Sequence, residues 1–481
     1  MGIRKGTSLK GFQRAIGLVV LAMTGLAALL LWLAVARGAP AHPVTHRGVL
    51  FGVWHFFYDS QAPSMRVLLL AVAVALFMAA LVAVVERRIA NRYRRSENAG
   101  ETPLSPKIVM AATRGVFHGP VTVTVLVPAH NEAANLPATL HSLFAQSHAP
   151  HRVIVVADNC TDDTAQVARA HGAEVFETAG NTHKKGGALN QALADLLPGQ
   201  GENDTVMVMD ADTILDDGFL EAAVRRLTDD RALMAVGGLF HGEAGHGVIG
   251  QFQRNEYLRY SREIRRRRGR VFVLTGTASI FRPRALQTVA ASRGTRIPGT
   301  PGRVYDTAAL TEDNELTIAL KSLGALIISP QECSVVTELM PGWRTLWNQR
   351  LRWQRGALEN LGAYGIRPQT LRYWAQQLGI GYGVIALASY FVLFFIMLAA
   401  SNDMIWFPFW LGLGGIFVAE RVVTVWKGGW AARGLAVLIF PELFFDFFLD
   451  AVYVKGIVDI SLGRQAAWKH VGHERMAEAT R

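Results

Sequence analysis

Charge is scarce in this chain. Of its 481 residues only 18% are Asp, Glu, Lys or Arg, against roughly a quarter in an ordinary soluble domain, while 51% fall in the AVILMFWYC set and the mean hydropathy is +0.21. This argues against the three soluble domains that length alone would suggest and favours one soluble domain plus membrane segments. Cysteine is nearly absent. Cys160 and Cys333 are too few for a disulfide framework or a thiolate zinc site, which suits a reducing compartment for the soluble part. Glycine and proline, at 46 and 18 residues, stay near average usage, so collagenous, low-complexity and largely disordered chains are excluded. The charge that is present is unbalanced, with 49 Lys and Arg against 38 Asp and Glu for a net +11. Such a surplus fits nucleic acid, an anionic membrane surface or an anionic small substrate. The basic residues cluster beside the apolar runs, which favours the membrane.

Residues 15–36 and 67–85 form uncharged runs of 22 and 19 residues, each long enough to span about 30 Å of hydrocarbon at 1.5 Å per residue. The first has the basic start of a signal peptide, but its run exceeds the usual apolar core, so it reads as a retained helix. Basic residues precede the first run, and Arg87, Arg88, Arg92, Arg94 and Arg95 follow the second. The positive-inside rule therefore places everything from about residue 90 to 370 in the cytoplasm. Near the C-terminus, 373–402 and 404–425 read as a hairpin with its short outer loop at 401–403. The stretch 434–462 is apolar but interrupted by Pro441, Glu442, Asp446, Asp450, Lys455 and Asp459, so it either lines a cavity or lies partly at the interface. Five spans would put the basic tail outside, against the charge rule, so the expected number is four or six. The expected organisation is two N-terminal transmembrane helices in 1–95, a soluble domain in 96–340, interfacial helices in 341–372, transmembrane helices in 373–462 and a basic tail in 463–481.

From about residue 121, short apolar strands alternate with amphipathic helices, the mark of an α/β domain with a largely parallel sheet. Residues 121–127 read as a strand broken at Pro128, followed by a helix with Leu136, Leu140, Leu143 and Phe144 on one face. Further strands are expected at 152–157, 174–176 and 205–209, with a helix at 165–170. Asp158, Asp210 and Asp212 then fall at strand ends, where ligands bind in open α/β sheets. Two carboxylates two residues apart on an extended chain point to one side, and a divalent cation relieves their repulsion. Mg²⁺ or Mn²⁺ suits such oxygen ligands together with substrate phosphates. The segment His183-Lys184-Lys185-Gly186-Gly187 forms a basic, glycine-bearing turn before a helix, suited to a phosphate. Thr311-Glu312-Asp313 opens another helix, and Gln349, Arg350, Leu351, Arg352 and Trp353 lie on an amphipathic stretch. Taken singly, each has an ordinary structural explanation: a plain loop, a helix cap with dipole acids, and an interfacial helix with a tryptophan anchor.

In order, however, Asp158, Asp210-Ala211-Asp212, Thr311-Glu312-Asp313 and Gln349-x-x-Arg352-Trp353 resemble the D, DxD, TED and QxxRW series of glycosyltransferase family 2. The resemblance is specifically to the membrane-embedded processive synthases of the cellulose, chitin, hyaluronan and poly-N-acetylglucosamine type, and by motif it covers about residues 120–360. It implies a GT-A-type, Rossmann-like α/β cytoplasmic domain between N- and C-terminal transmembrane helices in the plasma membrane. It further implies an inverting hexosyltransferase that polymerises a UDP-sugar, UDP-N-acetylglucosamine or UDP-glucose, into a β-linked polysaccharide and secretes it. Carried over by residue, Asp158 would contact uracil, Asp210 the ribose and diphosphate region, and Asp212, with Asp210, the Mg²⁺ or Mn²⁺. Lys185 would approach the diphosphate or donor sugar, with Glu312 also in the substrate site, and Asp313 would be the general base. Gln349, Arg352 and Trp353 would close over the diphosphate and hold the acceptor end. The stretch Leu274-Thr275-Gly276-Thr277-Ala278 departs from the Gly-Ser or Cys-Gly of relatives, which puts the acceptor contacts in question. The alternative is a non-processive enzyme adding one sugar to a lipid acceptor, a reading against which QxxRW counts. The six arginines of 262–270 read as a contact to the membrane or acidic lipid rather than to nucleic acid, and Cys160 as structural.

Overall fold

A computed structural model describes residues 95–464 almost throughout (117, 118, 268, 401–404 and 407 excepted), with 45–50, 54–59 and scattered positions from 66 to 92. The span expected at 15–36 and nearly all of the basic tail lie outside the described residues. Every described position from Arg66 to Arg92 is helical, in keeping with the second expected run. Two compact units are distinguished, Met1–Arg88 with Tyr390–Phe417, and Ile89–Ser389 with Val418–Arg481. In the first, Thr45–Leu50 and Trp54–Asp59 pair antiparallel, and Ile405–Trp406 joins the latter in parallel.

The second unit is built on a seven-stranded sheet. Its elements in chain order are β1 (Thr122–Ala129), α1 (Leu136–Phe144), β2 (Arg152–Ala157), α2 (Thr164–Ala170), β3 (Glu174–Glu177), α3 (Lys184–Leu196) and β4 (Asp204–Met209). There follow β5 (Thr213–Leu215), α4 (Phe219–Asp229), β6 (Leu233–Gly237), β7 (Leu239–Gly242), α5 (Gly247–Arg266), β8 (Ala278–Phe281), α6 (Pro283–Ser292) and α7 (Glu312–Ser322). After α7 come β9 (Leu326–Ile328), β10 (Ser334–Thr337) and α8 (Trp343–Tyr364). The main sheet runs β9-β6-β8-β4-β1-β2-β3. Strands β1 to β4 pair in parallel, while β8 is antiparallel to both β4 and β6. A small sheet, β5-β10-β7, stands beside it.

Alternate residues of the strands feed two cores, because side chains project to opposite faces with period two. Val123, Val125, Val127, Val153 and Val155 pack with Leu136, Leu140 and Leu143 of α1 and Phe219 of α4. Leu126, Ile154, Val156, Val206 and Val208 pack with Ala188, Leu189 and Leu193 of α3. Burial on both faces explains why these strands read as continuous apolar runs. The expected break at Pro128 is not found, since β1 continues to Ala129. Val123 and Ala129 turn their carbonyls to the β2 side, accepting from His151 and Asp158, so Pro128 faces β4. There the ladder already ends at Leu126 opposite Val208, and the missing N–H costs no sheet bond.

Over the stretches read as a hairpin the structure has two helices, α9 (Leu371–Ala400) and α10 (Pro408–Thr424), and the expected outer loop at 401–403 lies outside the described residues. Within α9, Leu371–Val392 is long and apolar enough to cross a membrane, the one such helix among the described residues. Residues 434–462, read as one segment, divide into α11 (Gly429–Leu438) and α12 (Phe440–Ser461). The division falls at Ile439, whose φ of 45° breaks the helix.

Candidate active site

Four of the expected residues converge from three elements. Lys185 lies in the first turn of α3, and its Nζ sits 2.5 Å from Asp210 Oδ1 at the end of β4 and 3.1 Å from Glu312 Oε1 at the start of α7. Asp313 follows Glu312, and the backbone N–H groups of Gly276 and Asn314 donate to its two carboxylate oxygens at 3.2 and 2.7 Å. Lys185, Gly276, Tyr305, Glu312 and Asp313 line one cavity. Asp210-Ala211-Asp212 is a turn between β4 and β5 rather than an extended pair, so the same-side geometry expected of a strand does not apply. Asp210 binds Lys185, and Asp212 is bonded by the hydroxyl of Thr213 at 3.3 Å, while the two carboxylates still bear on each other.

The electrostatics follow from burying acids around one cation. Burial opposes charge on Lys185, but Asp210, Glu312 and Asp313 outweigh it and hold the ammonium well above its usual range. Burial would raise Glu312 too, yet Lys185 beside it keeps it below the ordinary carboxylate value. Asp313 is pushed up to about 6, by burial and then by Glu312. Burial, followed by the carboxylates of Asp210, Glu132 and Glu338, pushes Asp212 up to about 7. These carboxylates, oxygen donors only, fit a hard divalent cation. No group of three or more His, Cys, Asp or Glu side chains placed to hold a metal is found among the described residues, so a cation here would take one or two carboxylates and complete its shell with a ligand's phosphates.

Asp158 ends β2 and is 7% exposed. Its Oδ1 accepts from Thr178 Oγ1 and Asn181 Nδ2, both at 2.8 Å, and from Asn159 Nδ2 at 3.2 Å. Asn181 ties this acid to the basic turn, donating also to Lys184 O at 2.8 Å and accepting from the His183 N–H at 2.9 Å. Gly187 lies so close that a Cβ there would stand 2.1 Å from Asn181 Oδ1.

Gln349, Arg352 and Trp353 are on α8. The charge of Arg352 bears on Lys184, Asp210 and Glu312, whereas Gln349 and Trp353 are tied to Arg350. The Arg350 guanidinium lies 4.2 Å over the Trp353 ring, donates to Gln349 Oε1 at 3.3 Å and pairs with Glu256 at 2.8 Å. Farther along α8, Asn360 Nδ2 donates to Thr311 O, Thr311 Oγ1 and Asn314 Oδ1 at 3.1, 3.2 and 3.0 Å. Thr311 occupies the cap position of α7 but makes no side-chain capping bond; Asn360 is its partner instead. The α8 helix thus rests directly on the start of α7, and the two motif segments form one body.

Sequence reasoning missed several of these residues. Gly276 lies at the centre of the cluster, where an added Cβ would stand 3.1 Å from Lys185 Nζ, 3.5 Å from Asp210 Oδ2 and 3.6 Å from Asp313 Oδ2. The unusual 274–278 stretch was its only signal. Asn181, Tyr305 and Asn360 gave none, because their partners lie across the fold.

Residues 124–290 match the family model described as glycosyl transferase family 2. This segment is a glycosyltransferase family 2 domain. It contains Asp158, Lys185, Asp210, Asp212 and Gly276, on the α/β sheet described above. The chain is 27% identical over 248 residues to the poly-β-1,6-N-acetyl-D-glucosamine synthase of Staphylococcus aureus, covering 50% of this chain and 55% of that protein. It is also 27% identical over 247 residues to a probable glycosyltransferase, YdaM, of Bacillus subtilis, covering 49% and 54%. The chain thus spans about half the length of the curated relatives it matches. Among solved structures, a Pyrobaculum calidifontis mannosyltransferase in complex with GDP-Man and Mn²⁺ is 17% identical, covering 82% of this chain and 99% of that one with a TM-score of 0.48.

Proposed function

We propose that this glycosyltransferase is an integral-membrane, inverting, processive synthase that extends a β-linked polysaccharide from UDP-N-acetylglucosamine or UDP-glucose. The observation that carries the reading is the packing of the Gln349, Arg352 and Trp353 helix onto Thr311, beside the cluster of Lys185, Asp210, Glu312 and Asp313. In the proposed reaction, Asp158 holds the uracil and Asp210 the ribose and diphosphate region. Asp313 takes the proton of the acceptor hydroxyl, whose oxygen attacks the anomeric carbon while the bond to UDP breaks and its electron pair leaves with the diphosphate. Lys185 and Arg352 face the charge that develops on that leaving group, and Glu312 holds Lys185 in place. A Mg²⁺ or Mn²⁺ ion held by Asp212, with Asp210 beside it, would supply further neutralisation of the diphosphate. Trp353, backed by Arg350, offers a ring for the acceptor sugar, and Gln349 closes the site. A single in-line displacement turns an α-linked donor into a β-linkage.

Membrane placement is supported by Leu371–Val392 and by the exposure of Leu378, Tyr382 and Ile385 on that helix at 63, 75 and 67%. The basic residues after the second apolar run support a cytoplasmic catalytic domain at the plasma membrane. The test is reconstitution of the full chain in lipid nanodiscs with Mg²⁺ or Mn²⁺ and a panel of labelled UDP-sugars, reading UDP release and product length. Long polymer from one donor is expected. Single-sugar products, or turnover only with added lipid acceptor, would replace the processive reading with the non-processive one.

A further inference from the structure

The arginine run has no part in the site above, and its surroundings point to a different task. The last turns of α5 carry Arg262, Arg265 and Arg266. Arg262 donates to Val423 O near the end of α10. One turn earlier, Leu258 approaches Gly428 so closely that a Cβ there would lie 2.6 Å from Leu258 Cδ1. These contacts fix the basic end of α5 beside Trp426, Lys427 and helix α11. The acids of this neighbourhood are largely engaged: Glu263 with Arg267 at 2.5 Å, Glu442 with Arg259 at 2.6 Å, and Asp446 with Arg421 at 2.5 Å. Glu420 is sequence-adjacent to Arg421.

Helix α11 buries only its narrow side, Ala432 and Ala436. The opposite side is exposed and apolar, with Trp430 at 82%, Val437 at 56% and Leu438 at 62%, and Trp426 precedes it at 54%. Arg433 lies 4.1 Å over the Trp426 ring and 5.0 Å from the Trp430 centroid. It donates to Trp426 O from Nε and Nη2 at 3.0 and 2.8 Å. An apolar stripe with two tryptophans, flanked by Arg262, Arg265, Arg266, Lys427 and Arg433, matches the two levels of a monolayer, rings at the acyl boundary and cations at the phosphates.

We propose that helix α11 and the C-terminal end of α5 form a docking surface for anionic phospholipid headgroups of the bilayer. This shares the membrane placement of the functional reading but is independent of the transfer reaction. The full chain would be reconstituted in phosphatidylcholine nanodiscs doped with either spin-labelled phosphatidylglycerol or spin-labelled phosphatidylcholine. The quenching of Trp430, isolated by subtracting the W430F variant, is the readout. Anionic label is expected to quench about fivefold more effectively than neutral label, a factor that one near-surface cation supplies. The ratio should fall towards unity in R265Q/R266Q, whose side chains are exposed, and in high salt, while R226Q in α4, on an exposed pair with Glu332, leaves it unchanged. Equal quenching by both labels, or an unaltered ratio in R265Q/R266Q, overturns the proposal. No quenching by either label overturns the bilayer contact itself. Loss of RNA binding in R265Q/R266Q without any lipid preference would replace it with a nucleic-acid site.

Discussion

Gly356 offers the sharpest test of whether the α7–α8 contact serves catalysis. It sits inside α8, where alanine would ordinarily stabilise the helix by about 1 kcal/mol. An added Cβ, however, would stand 2.5 Å from Thr311 Oγ1 and 2.7 Å from Thr311 Cγ2, when optimal separations are about 3.5–4.0 Å. Thr311 cannot simply rotate away, since its side chain is β-branched and its hydroxyl and carbonyl are both held by Asn360. The helices must therefore separate by about 1 Å, an overpacking cost of about 1–3 kcal/mol that equals or exceeds the propensity gain. G356A should then melt near or a few degrees below the parent, yet a misplacement of about 1 Å of Glu312, Asp313 and Arg352 predicts a loss of turnover of about 100-fold. The assay is UDP release in nanodiscs beside a thermal melt and a UDP-binding isotherm. T311A removes the two closest atoms and leaves only its Cβ at 3.1 Å, so G356A should cost far less turnover in the T311A background than in the parent. Parental turnover in a folded G356A variant would refute the coupling.

Three further outcomes follow from the site. Asp313 is raised above the ordinary carboxylate value to about 6, so its base form is lost as pH falls through that value; the acid limb of the rate profile should lie near pH 6, and D313N should abolish transfer while retaining UDP affinity. D212N removes the acid that burial and neighbouring carboxylates push up to about 7; it should weaken Mn²⁺ binding by about 10-fold or more, measured by titration of UDP-bound protein, and unchanged affinity would move the cation elsewhere. Arg293 and Glu315 form an ion pair that is at most 2% exposed, and Tyr364 donates to the same Glu315 at 2.5 Å. R293M should destabilise the second unit by about 3–5 kcal/mol by leaving Glu315 buried without its cation, and a denaturant melt indistinguishable from the parent would count against that.

Much of the α/β core was legible. The strands at 122–129, 152–157 and 204–209 announced themselves because both faces are buried, and the acids after them stood out against apolar runs. The expectation at Pro128 failed because a proline's cost in a strand depends on which neighbour its nitrogen faces, and the ladder to β4 had already ended. The single segment expected at 434–462 became two helices because one left-handed residue, Ile439, does not interrupt an apolar pattern. The same-side geometry assigned to Asp210 and Asp212 assumed an extended chain, whereas the chain turns there; Asp210 binds Lys185 and still bears on Asp212. Gly276, noted only as part of the 274–278 stretch, received no role of its own because it contributes a backbone N–H and an absence of side chain, neither of which a motif of reactive residues records.

By itself the sequence determined what is local: apolar periodicity, the runs long enough to span a bilayer, the strand-end acids, and the ordered motifs that tied Asp158, Asp210, Asp212, Asp313 and Arg352 to one chemistry. Those signals are legible because each depends on residues a few positions apart. Only the tertiary structure decided that Lys185 bridges Asp210 and Glu312, that Gly276 holds Asp313, and that Asn360 fastens α8 to Thr311. These are contacts between residues tens to more than a hundred positions apart, and their distances are set by how helices pack on a sheet, which no stretch of chain specifies alone.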